Sequence, residues 1–203
     1  MNIFVLHSDP LVAAQMMCDK HIPKMIVESA QMLSTAHRML DGVLLTKPSV
    51  SGKRMVRYYD LFEGPYNDLE AEMTYYKAAH FHHPCTVWTM DSEDNYRWLW
   101  EHMRGLCEEY TYRFKTEKEP YKTHLTERKV LWPLQSVPRN IEKKGLTEFA
   151  QAMKKYPECM VPGNAVQAYQ NYYHAAKPFA KWERGRAAPN WWKGYQGASL
   201  HTA

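Results

Sequence analysis

A mostly α-helical fold is predicted, and three stretches of helical periodicity predict it. Apolar residues at Ile22, Met25, Ile26, Ala30, Leu33, Ala36 and Leu40 recur every three or four positions, which is the spacing of one helix face. Trp98, Leu99, Met103, Leu106, Cys107 and Tyr110 repeat the pattern, as do Val166, Tyr169, Tyr173 and Ala176. A chain of 203 residues is long enough to bury a continuous core without disulfides or metal. The expectation is a single domain over 1–203, with core helices at about 10–41, 92–113 and 164–182 and an aromatic-basic tail at 184–197.

Taken in order, Ile3 to Leu6 is a short apolar segment expected to be extended. Asp9-Pro10 then reads as an N-cap with proline in the first helical position, opening a helix to about Met17. Asp19 is expected to cap the next helix, with Pro23 tolerated in its first turn and Asp41-Gly42 ending it. From Leu44 to about Tyr66 the pattern is irregular. Ser49-Val50-Ser51-Gly52-Lys53-Arg54 reads as a solvated basic loop, or more sharply as one that contacts phosphate. Tyr75 to Ala79 is expected to be a short helix. Asp91-Ser92-Glu93-Asp94 supplies a cap and first-turn acids to the middle helix, and 115–145 reads as a long loop holding one helical turn at most. Thr147 to Lys155 is expected to form a brief helix, and Pro162-Gly163-Asn164 to start the last one, bent or ended at Pro178.

Composition narrows the setting. Net charge is +4, compatible with either an ordinary lysine excess or phosphate binding. The 14 Tyr and 7 Trp suit core packing and equally suit half-wet sites. Cys18, Cys85, Cys107 and Cys159 form no C-x-x-C pair, which points to reduced thiols and a cytoplasmic protein. No apolar run is long enough to span a membrane.

Two blocks carry chemistry. On the helix after Asp19, residues His21, Lys24, Glu28, Gln31, Thr35 and Arg38 fall on one side. A solvated face with a Lys24–Glu28 pair worth under about 1 kcal/mol also satisfies that spacing. The sharper reading makes Glu28 a general acid or base beside His21, with Lys24 and Arg38 as anion contacts. The second block, Pro189-Asn190-Trp191-Trp192-Lys193-Gly194-Tyr195, interleaves rings with a cation, a combination that grips nucleic acid. Lys20, Arg184 and Arg186 add candidate phosphate contacts. His80, His82, His83 and Cys85 lack the spacing of a zinc site, so no metal and no catalytic cysteine are expected.

The first block resembles the start of the phage endonuclease V, or pyrimidine-dimer DNA glycosylase, fold, in which a His precedes the catalytic Glu by seven residues, as His21 precedes Glu28. The tail is similar to that family's aromatic segment beside the DNA, while 44–75 and 115–160 look like insertions. Over its whole length the chain resembles a group of phage proteins sharing Asp19-x-His21, Gln31-x-Leu33-Ser34-Thr35-Ala36-His37-Arg38, His83-Pro84, Asn95-Tyr96-x-Trp98-Leu99 and Glu109-Tyr110-Thr111-Tyr112-Arg113. That group is associated with amino acid:DNA transferases that elaborate thymine-derived bases in viral DNA, inside the infected bacterial cytoplasm.

One departure separates the two families. The glycosylases attack with the α-amine of a small residue exposed by removal of methionine, followed by an arginine. Here Asn2 is too large for efficient removal of Met1, Ile3 follows, and Val27 and Gln31 stand where arginines flank the glycosylase glutamate. The resemblance therefore implies, first, a transferase adding an amine or amino acid to an activated 5-hydroxymethyluracil, with Lys20, Lys24, Arg38 and Lys193 steadying the leaving anion and Glu28 or His21 as base. A glycosylase/AP lyase is the second expectation and a non-catalytic DNA-binding protein the third. All three take double-stranded DNA as partner. The enzymes require a flipped pyrimidine and no cofactor beyond the transferase's amine co-substrate, and both require Glu28 and the tail to border one cavity.

Overall fold

A computed structural model of the chain describes residues 1–197 and is mostly helical with one small β-hairpin. Helix α1 spans Pro10–Met16 and α2 His21–Asp41; the hairpin strands are β1 (Val43–Pro48) and β2 (Met55–Asp60). Helices α3 (Leu69–Thr74), α4 (Pro84–Asp91), α5 (Glu93–Phe114) and α6 (Ala165–Ala176) follow, with short turns at Glu127–Leu131, Pro133–Gln135 and Pro157–Cys159. Each predicted cap from Asp9, Ser92 and Asn164 is in place: Asp9 accepts from the Leu11 and Val12 amides, Ser92 from Asn95 and Asn164 from Gln167.

The core forms where α2 and α5 cross, flanked by α1 on α5 and α4 on α2. Gly105 lets α1 close on α5, since a Cβ there would meet the Ala14 Cβ at 3.0 Å. Residues 3–6 thread this core fully or almost fully buried, but they form no strand, and Phe4 holds a left-handed φ of 42°. Two bonds hold that turn: the Asn2 Oδ1 accepts from the Ile3 amide at 2.8 Å and the Phe4 amide at 3.2 Å. The Asn2 Nδ2 donates to the Ala152 carbonyl at 3.1 Å.

Asp19 does not cap α2. Its Oδ1 pairs with Arg113 at 2.9 Å, and its Oδ2 accepts from the Glu183 amide at 2.7 Å. Arg113 also bonds Glu109 and the Gln15 and Met17 carbonyls at the end of α1, the place where a cation is favoured. Arg186 closes the network on Glu109, so the tail is tied to the joint between α1 and α2.

Four local expectations fail for identifiable reasons. Residues 43–60 pair as an antiparallel ladder from Val43↔Asp60 to Pro48↔Met55, turning through Gly52 at φ 70°, where an irregular loop was expected. Residues 75–79 are not helical because Arg38 draws the Tyr75 and Tyr76 carbonyls to itself; the helix lies earlier, capped by Asp68. Residues 147–155 form no helix, since side chains from elsewhere satisfy their backbone: Asn95 binds the Thr147 amide, and Tyr169 binds the Ala150 carbonyl and the Ala152 amide. Helix α4, unpredicted, starts at Pro84 under the ring of His83, whose Nδ1 accepts from the Cys85 amide. The last helix stops at Ala176, short of Pro178.

Candidate active site

The first turns of α2 and the buried N-terminal segment build the site. Burial of Ile22, Met25 and Ile26 fixes the rotation of α2, turning Lys20, Lys24 and Glu28 outward. The N-terminal segment, pinned by Asn2, brings the chain's α-amine to the same place. The Met1 nitrogen lies 3.8 Å from Glu28 Oε2, and Lys24 Nζ lies 3.6 Å from Oε1. The Met1 side chain is 2% exposed and that of Glu28 15%, so the pair is recessed but reachable.

A cationic rim surrounds it. Lys177, the residue that ends α6, lies 4.0 Å over the Tyr172 ring and 5.3 Å from the Phe4 ring. Burial, reinforced by the charge of Lys24, pushes its ammonium down to about 8, with Cys18 and Glu28 opposing. Lys20 stands 4.6 Å over the Phe179 ring. His83 borders the same space: burial first, then the charges of the Met1 amine and His80, lower it, while Glu28 raises it. Among the described residues no three His, Cys, Asp or Glu side chains converge to hold a metal.

His21 is close but enclosed. It is 1% exposed, its Nδ1 is 2.5 Å from the Tyr173 hydroxyl, and its ring lies 4.5 Å from that of Phe4. Burial, then Lys177, Lys24 and Lys20, push it down to about 3. An enclosed neutral imidazole supports the wall of the site and does not reach a substrate, which corrects the expected catalytic role.

Arg38 is corrected more sharply. It is fully buried, and its guanidinium binds the carbonyls of Tyr59, Glu72, Tyr75 and Tyr76 together with the Glu72 carboxylate. No donor is left for a phosphate. Helical spacing gives the side of a residue but not what later covers it.

The tail behaves differently from expectation as well. Trp191 and Trp192 are half-buried against Tyr173, His174 and Trp182, and the His174 ring accepts from the Lys193 amide at 3.1 Å. They meet the wall of the site through Tyr173, whose hydroxyl lies 2.5 Å from His21 Nδ1. Lys193 and Tyr195 remain exposed. Arg184 lies over Phe114 at the end of α5, and Arg186 is taken up by Glu109. A separate cavity of about 370 Å³ opens at the other end of α2, lined by His37, Asp41, Asp68, Tyr75 and Arg139.

The structure thus keeps Lys20, Lys24 and Glu28 together, as the helical spacing expects. The sequence did not place Lys177 or His83 beside them, and it gave no anchoring role to Asn2. A signal existed for Asn2, a short polar residue able to turn its own backbone, but none for Lys177, whose neighbours come from distant segments.

A helical fold presenting an α-amine to a carboxylate beneath clustered lysines has the make-up of an enzyme for a polyanionic substrate. The chain belongs to the pyrimidine dimer DNA glycosylase family, whose model matches residues 1–122. That membership implies a DNA-acting enzyme with DNA as its substrate, and it lends no support to a transferase. No curated protein and no solved structure matches the chain significantly. Among the described residues no helix is long and apolar enough to cross a membrane.

Proposed function

We propose that this protein is a DNA glycosylase with an associated lyase step, acting on a damaged pyrimidine in duplex DNA through the retained Met1 amine. One observation carries the reading: the recessed Met1 nitrogen faces Glu28 at 3.8 Å. An α-amine is a better nucleophile near neutral pH than an ordinary lysine because α-amines titrate lower.

In the first step the Met1 nitrogen gives its lone pair to C1′ of the target nucleotide. The bond from C1′ to the base breaks, and its electron pair leaves on the pyrimidine, which takes up a proton from water. Glu28 accepts the proton shed by the amine and returns it to O4′ as the sugar opens, leaving an imine between Met1 and C1′. Loss of a C2′ proton to the same carboxylate then expels the 3′ phosphate. Lys24, Lys20 and Lys177 hold the flanking phosphates, and Lys193 extends that contact from the tail.

Borohydride should trap the enzyme covalently on ultraviolet-damaged duplex, and peptide mass spectrometry should place the sugar remnant on Met1. Acetylating the N-terminus should abolish trapping, and Glu28→Gln should lower turnover at least about 100-fold while DNA still binds. An adduct on any lysine, or full turnover after acetylation, would overturn the assignment.

A transferase reading keeps one supporting observation. Lys24 pairs with the Glu28 carboxylate and Lys177 interacts with it, with Lys20 close enough to act on the neighbouring His21, an arrangement suited to a departing pyrophosphate with Glu28 as base for an incoming amine. Mass spectrometry of nucleosides from pyrophosphorylated 5-hydroxymethyluracil DNA incubated with amino acids or polyamines decides it, since the glycosylase yields no amine-bearing nucleoside.

A further inference from the structure

The geometry points to the β1–β2 hairpin as a second DNA-binding element: a basic arm that lies along the phosphates of the same duplex, beside the stretch that occupies the active site. This inference rests on DNA being the substrate, and it is independent of the reaction.

Charge comes first. Residues 43–60 hold four cations, Lys47, Lys53, Arg54 and Arg57, and one acid, Asp60. The acid sits at the base, occupied by the Phe62 and Glu63 amides. All four cations are exposed, and none has an acidic partner among the described residues. On α5, by contrast, the surface arginines Arg97 and Arg104 are paired with Glu93, Glu101 and Glu108. Lys47 lies 4.3 Å over the Tyr58 ring of the facing strand, but Lys53, Arg54 and Arg57 have only one another's repulsion to add to a two-stranded ribbon, which is marginal on its own.

Exposure comes second. The far half of the ribbon packs on nothing: Val50 at the turn is fully exposed, and Met55 is 60% exposed. Folding does not require this extension, since the core lies between α2 and α5. Proteins that read DNA with β-ribbons place such strands in a groove with cations on the adjoining phosphates.

Position comes third. The base of the hairpin stands at the far end of α2 and is linked to the rim of the site through the segment leading to His83. Arg38 holds the Tyr59 carbonyl at 2.9 Å, the Tyr59 ring meets Phe81 at 5.6 Å, and two residues later comes His83, which senses the Met1 amine and Glu28. From Glu28 to the end of α2 is about 20 Å at 1.5 Å per residue, and each strand adds about 20 Å more. The arm therefore meets DNA roughly 6–12 bp from the target base.

The test measures binding of the full chain to undamaged duplexes of about 10 and 25 bp, because only the longer one reaches the arm. Wild type should prefer the longer duplex. The variant Lys53→Ala/Arg54→Ala/Arg57→Ala, with unchanged thermal melting, should lose that preference while binding the short duplex normally. Its salt slope on the long duplex should flatten by about three units, so the wild-type advantage should shrink about 40-fold between about 50 and 200 mM salt. Lys53→Arg/Arg54→Lys/Arg57→Lys should restore the preference. An alanine variant that keeps the preference and slope, or that loses affinity equally for both lengths, overturns the arm. Wild type that binds neither duplex would instead overturn DNA as the substrate.

Discussion

Asn2 offers the most discriminating perturbation, because it fixes the proposed nucleophile without touching the substrate. Its side chain is almost fully buried and makes three bonds: two accepted from the Ile3 and Phe4 amides and one donated to the Ala152 carbonyl. Asn2→Leu conserves size and, unlike Asn2→Ala, does not invite removal of Met1. It leaves two amides and a carbonyl in the interior without partners, at about 1–3 kcal/mol for each group left unsatisfied. It also releases the left-handed turn at Phe4, a conformation that costs about 1–3 kcal/mol to maintain. Much of that loss is expected to be relieved by the first residues swinging out, which takes the amine off Glu28. A displacement free energy of about 2 kcal/mol corresponds to roughly a 30-fold slower imine-forming step. Single-turnover borohydride trapping reads that rate, and fluorescence anisotropy on the same duplex reads affinity. Trapping should fall about 30-fold with affinity within a factor of about two. Asn2→Asp, which keeps the acceptor and loses the donor, should fall between. If Asn2→Leu traps at the wild-type rate, the amine is not positioned by this residue and the reasoning fails.

Other consequences are equally accessible. Burial holds His21 and His102 near 3 and His37 near 4, all below the ordinary 6.5, so the unfolded chain binds more protons than the folded one below about pH 6.5. Stability is complete above that value and drains as pH falls toward 3, with a slope near pH 5 of about 4 kcal/mol per unit for three imidazoles; a urea midpoint unchanged from pH 7 to 5 would contradict this. His102 has no hydrogen-bonding protein group near either ring nitrogen and stacks on Trp98. His102→Phe should therefore raise the urea midpoint and flatten the acid slope by about 1.4 kcal/mol per pH unit; a lowered midpoint at pH 7 would count against it. Arg113→Met strands Asp19, part of Glu109 and two α1 carbonyls, and should cost about 3–5 kcal/mol by equilibrium denaturation. All four thiols are buried, with burial pushing Cys85 up to about 12 and Cys159 up to about 11, so a thiol reagent should react only after denaturant is added.

How much of this was legible depends on whether the cause was local. Periodicity and caps placed α1, α2, α5 and α6, because a buried stripe and an end signal are both local properties. The same stripe gave Lys24 and Glu28 their common side. It could not separate Glu28, which stays at the surface, from Arg38, which the segment from Tyr59 to Tyr76 encloses. The ribbon at 43–60 was missed because its turn lacks the Asn-Gly chemistry that marks tight hairpins. Residues 147–155 were misassigned for the opposite reason: their composition permits a helix, and partners on α5 and α6 override it. The approach of Met1 to Glu28 follows from no spacing, and only the family resemblance made an amine there worth weighing.

The threading of residues 2–6 through the interior has a consequence for how this molecule comes into being. Asn2 leans on Ala152, 150 positions further along the chain, and Phe4 on Tyr169 and Tyr173, so residues 2–6 cannot settle until that distant segment has been made. A chain that stops short of Ala152 should therefore leave the Met1 amine without its seat beside Glu28. Under the proposed mechanism, a purification tag fused ahead of Met1 would abolish trapping, whereas one placed after the tail would not.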